Sequence, residues 1–265
     1  MQLNTISRAT ILRLAAIGAC AMVFAVPVHA QLAADNKACA EKKGDEAIEA
    51  CTRVIESKDN KKIKLEHVYF NRGVEWMAKK DHDRAIADYS AAIKIDPKYR
   101  DAYNSRGGAY RAKGQLDLAI ADYSEAIKLN ATRGVYYRNR GNAYASQRNY
   151  ASALGDFNEA LKLDANDAAA NDSAAWTMAT APDAKLRNGK RAIELAMKAC
   201  ELTQWKRGSY VDTLAAAHAE DGNYAEAVRR QEQALTDAEF EKSDGKNART
   251  RLKLYKSKKP VRLPK

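Results

Sequence analysis

A chain of 265 residues, or 235 once an expected 30-residue leader is removed, is long enough for a sizeable core. A net charge of +11 would suit a nucleic-acid binder if it were spread over one face, but it is not. Residues 243–265 hold nine Lys and Arg against Asp244 alone, Arg8 and Arg13 account for two more charges, and residues 31–242 are nearly neutral. The charge belongs to a tail, which argues against a specific nucleic-acid surface on the folded body.

The first predicted element is a secretory signal over 1–30. Arg8 and Arg13 precede an apolar run from Leu14 to Val26, Pro27 breaks it, and Val28-His29-Ala30 puts small residues where a signal peptidase reads. Cleavage is expected after Ala30, and the run is too short to span a bilayer comfortably, so no transmembrane span is expected in the mature chain. Ile17-Gly18-Ala19-Cys20 resembles a lipoprotein signal, but the apolar run continues past Cys20, so a lipid anchor there is the weaker alternative. The chain is therefore expected to be exported, to a periplasmic compartment. Cys39, Cys51 and Cys200 remain after cleavage, without metal-type spacing, and an oxidising compartment permits a disulfide.

Residues 31–65 read as a helical hairpin, with a first helix at about 33–42 and a second from Gly44 to Val54. The regular pattern starts at 66. Segment 66–99 carries Tyr69, Gly73, Trp76, Ala85, Tyr89 and Ala92. A shift of 34 gives Tyr103, Gly107, Tyr110, Ala119, Tyr123 and Ala126, and a second shift gives Tyr137, Gly141, Tyr144, Ala153, Phe157 and Ala160. Both sets in each unit step as i, i+4, i+7, one face of a helix. Polar turns separate them at Lys80-Asp81-His82, Lys113-Gly114-Gln115 and Gln147-Arg148-Asn149. Each unit is thus two antiparallel helices. A mid-helix Gly costs roughly 1 kcal/mol of helix propensity and is kept where a side chain would strike the partner helix.

These units, with their Asn-Arg-Gly at 71–73 and 139–141 and Ser-Arg-Gly at 105–107, resemble the tetratricopeptide repeat family in its bacterial style. The resemblance spans roughly 33–241. Three regular units fill 66–167 and two divergent ones 168–243. The fourth begins at Ala174, Ala175 and Met178 and has a turn about five residues longer, 181–189, expected to bend the array or present a loop. The fifth has His218 and Gln231 where aromatics stood, as suits an end repeat. Residues 244–265 read as a basic capping helix, 244–256, followed past Pro260 by a tail expected to be disordered. The fold expected is all-α: a right-handed solenoid of about six stacked helix-turn-helix hairpins with a C-terminal cap.

No phosphate loop, nucleophile elbow or metal motif is present, so no enzyme activity, cofactor or metal is expected. Asp81 with Asp83 and Asp164 with Asp167 sit at turns, where helix capping explains them. The resemblance implies a concave groove lined by the first helices. Its positions are His67, Phe70, Val74 and Met77 in one unit, Asp101, Asn104, Gly108 and Arg111 in the next, and Val135, Arg138, Asn142 and Ala145 in the third. An apolar patch of Phe70, Val74 and Met77 beside Asn104, Arg111, Arg138 and Asn142 suits an extended peptide of another protein. The alternative is an accessory factor holding an anionic polymer or membrane surface through the basic tail.

Two pairings are expected. Arg72, Arg106 and Arg140 each stand 16 residues before Asp88, Asp122 and Asp156, a spacing for ion pairs between helices. Cys39 and Cys51 flank the first hairpin's turn almost equally and are expected to form a disulfide, leaving Cys200 reduced.

Overall fold

The apolar steps of the sequence become six helical hairpins and a final helix. The computed structural model describes residues 28–264; the expected signal up to residue 27, the alternative anchor at Cys20 and Lys265 lie outside the described residues. The hairpins are α1 (Val28–Glu41) with α2 (Gly44–Glu56), α3 (Leu65–Ala78) with α4 (His82–Ile95), α5 (Arg100–Ala112) with α6 (Leu116–Leu129), and α7 (Gly134–Ser146) with α8 (Tyr150–Leu163). They continue as α9 (Ala168–Thr180) with α10 (Gly189–Leu202), α11 (Gly208–Glu220) with α12 (Tyr224–Ala234), and end in α13 (Ala238–Lys256). No strand occurs among the described residues.

Close helix contact explains the repeated Gly. A Cβ on Gly73 would lie 2.7 Å from the Tyr89 ring, and one on Gly141 would lie 2.7 Å from Phe157. Both aromatics are buried. In the next hairpin Ala175 and Ala196 occupy the two places, so a small pair replaces Gly with an aromatic.

The charge pairs form within the hairpins. Each Arg72, Arg106 and Arg140 guanidinium donates twice, at 2.8 Å, to Asp88, Asp122 and Asp156. A further N–H of each reaches back to the preceding hairpin, donating to Thr52, Ser90 or Ser124. One guanidinium thus ties three helices. Gln231, expected in an end repeat with few neighbours, is fully buried; it donates to Asp212 at 2.6 Å, and Arg251 of α13 donates to the same carboxylate.

Cys39 and Cys51 are joined, with Cα atoms 4.7 Å apart, and Cys200 is free and buried. Asp81 caps α4 and Asp167 caps α9 through backbone N–H groups.

First helices approach one another along most of the array: α1 with α3, α3 with α5, α5 with α7, α9 with α11, and α11 with α13. No pair of second helices does so to the same extent. The array therefore curves with the first helices inside.

Three expectations are corrected. The last helix begins at Ala238 rather than 244, because Asp237 caps it and Phe240 is buried in the core of the last hairpins. The first helix begins at Val28, ahead of 33, and runs through the expected cleavage point. The tail after Pro260 is docked, not disordered. Leu263 N–H donates to the Thr180 carbonyl at 2.8 Å, Arg262 pairs with Glu220 at 2.6 Å, and Tyr150 Oη donates to the Pro264 carbonyl at 3.1 Å. Segment 181–189 holds a 3-10 turn at Ala184–Leu186, and its Arg187 donates to Glu220 and to the Ala181 and Pro182 carbonyls.

Candidate functional site

The inner face offers the repeated first-helix positions, and its properties change along the array. At the N-terminal end His67 meets the Tyr99 ring edge-on at 5.3 Å, and Phe70 lies 5.1 Å from Tyr99 and 5.6 Å from Tyr89. His67 and Phe70 line a depression of about 580 Å³ with Ile63, Asn71 and Tyr99. Burial pushes the Tyr99 hydroxyl up to about 12, so this side chain stays neutral at ordinary pH, while Lys62 and Lys64 bring positive charge to the rim. Val74 is 37% exposed on the same helix, with Met77 partly covered.

The polar middle divides. Asn104 accepts a hydrogen bond from Asn139, and Asp101 accepts one from Tyr136 Oη, so both hold neighbouring first helices together. The Arg138 guanidinium donates to the Asp167 carboxylate at 2.6 Å and is committed to the cap of α9. Arg111 and Asn142, by contrast, meet in a second depression of about 430 Å³, with Ala145, Trp176 and Leu263 of the tail. The structure thus joins His67 with Phe70 and Arg111 with Asn142. It assigns Asn104 and Arg138 to holding helices in place.

Farther along, Asp172 continues the row of Phe70, Asn104 and Arg138, each 34 residues apart. Burial pushes its carboxyl up to about 7 and the nearby Asp212 adds to this, while a hydrogen bond from Thr213 opposes them. Its Oδ1 is buried without a partner. Trp176 lies in the row of Val74 and Asn142, with the Arg251 guanidinium 5.6 Å from its ring. Both residues were reachable by extending the 34-residue shift one more unit. Glu220 and the docked tail were not, because no periodicity points to them.

The stretch read as a free cationic tail is partly neutralised. Arg251 pairs with Asp212 and Asp244, Arg249 with Glu241, Lys256 with Glu232, and Arg262 with Glu220. Among the described residues no cluster of His, Cys, Asp or Glu could hold a metal ion, and no helix is long and apolar enough to cross a membrane.

Comparison with known proteins agrees with the geometry. Models of the tetratricopeptide repeat match residues 68–99 and 134–167, and a TPR repeat model matches 107–148. No curated protein matches. Among solved structures, YrrB, a TPR protein with an unusual peptide-binding site, is similar over 78% of this chain and all of its own, with TM-score 0.59 and 20% identity. MamA is similar over 67% of this chain and 94% of its own, with TM-score 0.54 and 21% identity. PilF of Pseudomonas aeruginosa is similar over 72% and 91%, with TM-score 0.57 and 16% identity. At these identities the likeness is one of fold.

Proposed function

Because this chain is a tetratricopeptide repeat protein, we propose that it is a non-catalytic scaffold that holds an extended segment of another protein along its inner face. The observation that carries this is the pair of depressions on one face. One is walled by His67, Phe70 and Tyr99, the other by Arg111, Asn142 and Trp176. Aromatic walls beside hydrogen-bond donors suit a strand-like peptide with apolar and acidic side chains. The peptide-binding site named for YrrB supports the same use of the fold. The proposed setting is an exported, oxidising compartment, which the signal-like N-terminus and the Cys39–Cys51 bridge support.

The test is affinity capture from envelope extract with the wild-type chain and with Phe70→Asp/Val74→Asp. A partner that survives high salt on the wild type and is lost on the double variant supports the groove. Capture that is abolished by salt and indifferent to these substitutions would overturn it in favour of a charge-driven surface.

A further inference from the structure

In the three regular hairpins the turn closes the end of the first helix. The N–H groups of Lys80, Gly114 and Arg148 donate to the carbonyls of Met77, Arg111 and Ala145. The next position in that register is Ala179. There the chain turns away through Ala181-Pro182 into the 181–189 insertion, and no turn amide takes the Ala179 carbonyl; the Thr180 carbonyl, like those of Ala78, Ala112 and Ser146, takes none from its own turn. Helix C-termini carry such acceptors, and burial without partners is costly. Here the tail supplies the donors. Leu263 N–H donates to Thr180 at 2.8 Å, and the Arg262 guanidinium donates to Ala179 at 3.4 Å while pairing with Glu220 at 2.6 Å. The insertion's Arg187 holds the other oxygen of Glu220 at 2.9 Å. Val261 packs on the core of the last hairpins, and Leu263 forms a wall of the depression with Trp176, Arg111 and Asn142.

We propose that the ends of α9 and α11, opened by the 181–189 insertion, form a peptide subsite for an extended apolar-Arg-Leu-Pro segment, and that residues 260–264 occupy it in cis as a displaceable stand-in for a partner segment of that chemistry. This deepens the scaffold reading and rests on it. Recognition has three parts: a backbone acceptor read by the residue after Arg, a carboxylate that reads the Arg, and the Trp176 side of the depression, against which the Leu forms a wall. Glu220, not an exposed cationic patch, sets the preference, so the subsite selects a basic residue.

The probe is a fluorescent synthetic peptide, Lys258 to Pro264, offered to full-length protein. A tail tethered at an effective concentration on the order of 1 mM would shield a site of intrinsic Kd on the order of 100 µM about tenfold. The full-length variant Arg262→Glu/Leu263→Ser, whose own tail cannot dock, should therefore bind the peptide about tenfold more tightly than wild type. Adding Glu220→Lys should abolish that binding, and circular dichroism of each variant reports folding independently. Amide exchange of Leu263 in the wild type should be slow, and faster in Glu220→Ala. Equal peptide binding by wild type and the tail variant, or a Leu263 amide exchanging at the free-peptide rate, would overturn the subsite. Those outcomes leave Phe70 and Val74 untouched, so the capture experiment still decides the scaffold reading by itself.

Discussion

Asp88, Asp122 and Asp156 are buried carboxylates, each met by two N–H groups of an Arg from the facing helix. Removing one partner leaves a charge without its counterpart in a nonaqueous setting, which is worse than removing both. Arg106→Met is expected to lower stability by about 2–4 kcal/mol, with much of it recovered in Arg106→Met/Asp122→Leu. Urea midpoints of the three proteins check this. Asp172 presents the opposite case. Its carboxyl titrates at about 7 in the fold against 3.8 for an ordinary Asp, because burial disfavours the charge. The folded state therefore holds a proton that the unfolded chain has released. Stability falls as pH rises from about 4 to about 7, and the penalty is complete above that window. Asp172→Asn should gain on the order of 2 kcal/mol at pH 8 and almost nothing at pH 4, read from paired urea curves; an equal gain at both pH values would refute the assignment. The spacing of 16 residues made the Arg–Asp pairs legible in the sequence. The environment of Asp172 was not, because it depends on Thr213 and Asp212 from a later hairpin.

At the level of the hairpin, the turns repeat as faithfully as the helices. Lys80, Gly114 and Arg148 all have positive φ, 63°, 74° and 63°, and Gly222 repeats this in the fifth full unit. Two L side chains sit where Gly is free of strain. Lys80→Gly is expected to stabilise by on the order of 0.5–1 kcal/mol, with Lys80→Ala near zero because Ala keeps the strain. Thermal melts of both separate the backbone effect from loss of the lysine. The first hairpin adds a covalent tie, the bridge between Cys39 of α1 and Cys51 of α2. Replacing Cys39 and Cys51 with Ser should cost on the order of 3 kcal/mol, confined to α1 and α2 in amide exchange. Thiol titration of unreduced, denatured protein lacking residues 1–30 should find one group, Cys200. In the native state that group should be unreactive, because burial pushes the Cys200 thiol up to about 12.

Across the whole molecule, what could be read in advance was what repeats. The three regular hairpins and their Gly–aromatic contacts follow from a shift of 34 residues, the outer hairpins from weaker matches to the same pattern, and the groove row at Phe70 from the family resemblance. The polar half of the groove was legible only as positions. Whether Arg138 faces a ligand or caps α9 turns on Asp167, which lies in a loop outside the periodic pattern. The tail was misread because Pro260 and the surrounding lysines report only that a helix stops and that charge is nearby. Its partners, Tyr150 and Thr180, lie 114 and 83 positions earlier and leave no local trace.

A stacked array with only neighbour contacts tends to unzip from its ends, one repeat at a time. The bond between Tyr150 and Pro264 makes the third regular hairpin and the chain's last residues neighbours. Loss of α13 alone would therefore also break the contact to α8, and the stretch from α8 to the tail should melt as a single cooperative block. Single-molecule stretching should show that block leaving in one step in the wild type. With Arg262→Glu/Leu263→Ser it should leave in several smaller ones, with the scaffold's C-terminal half changed from a clasped ring to an open spring.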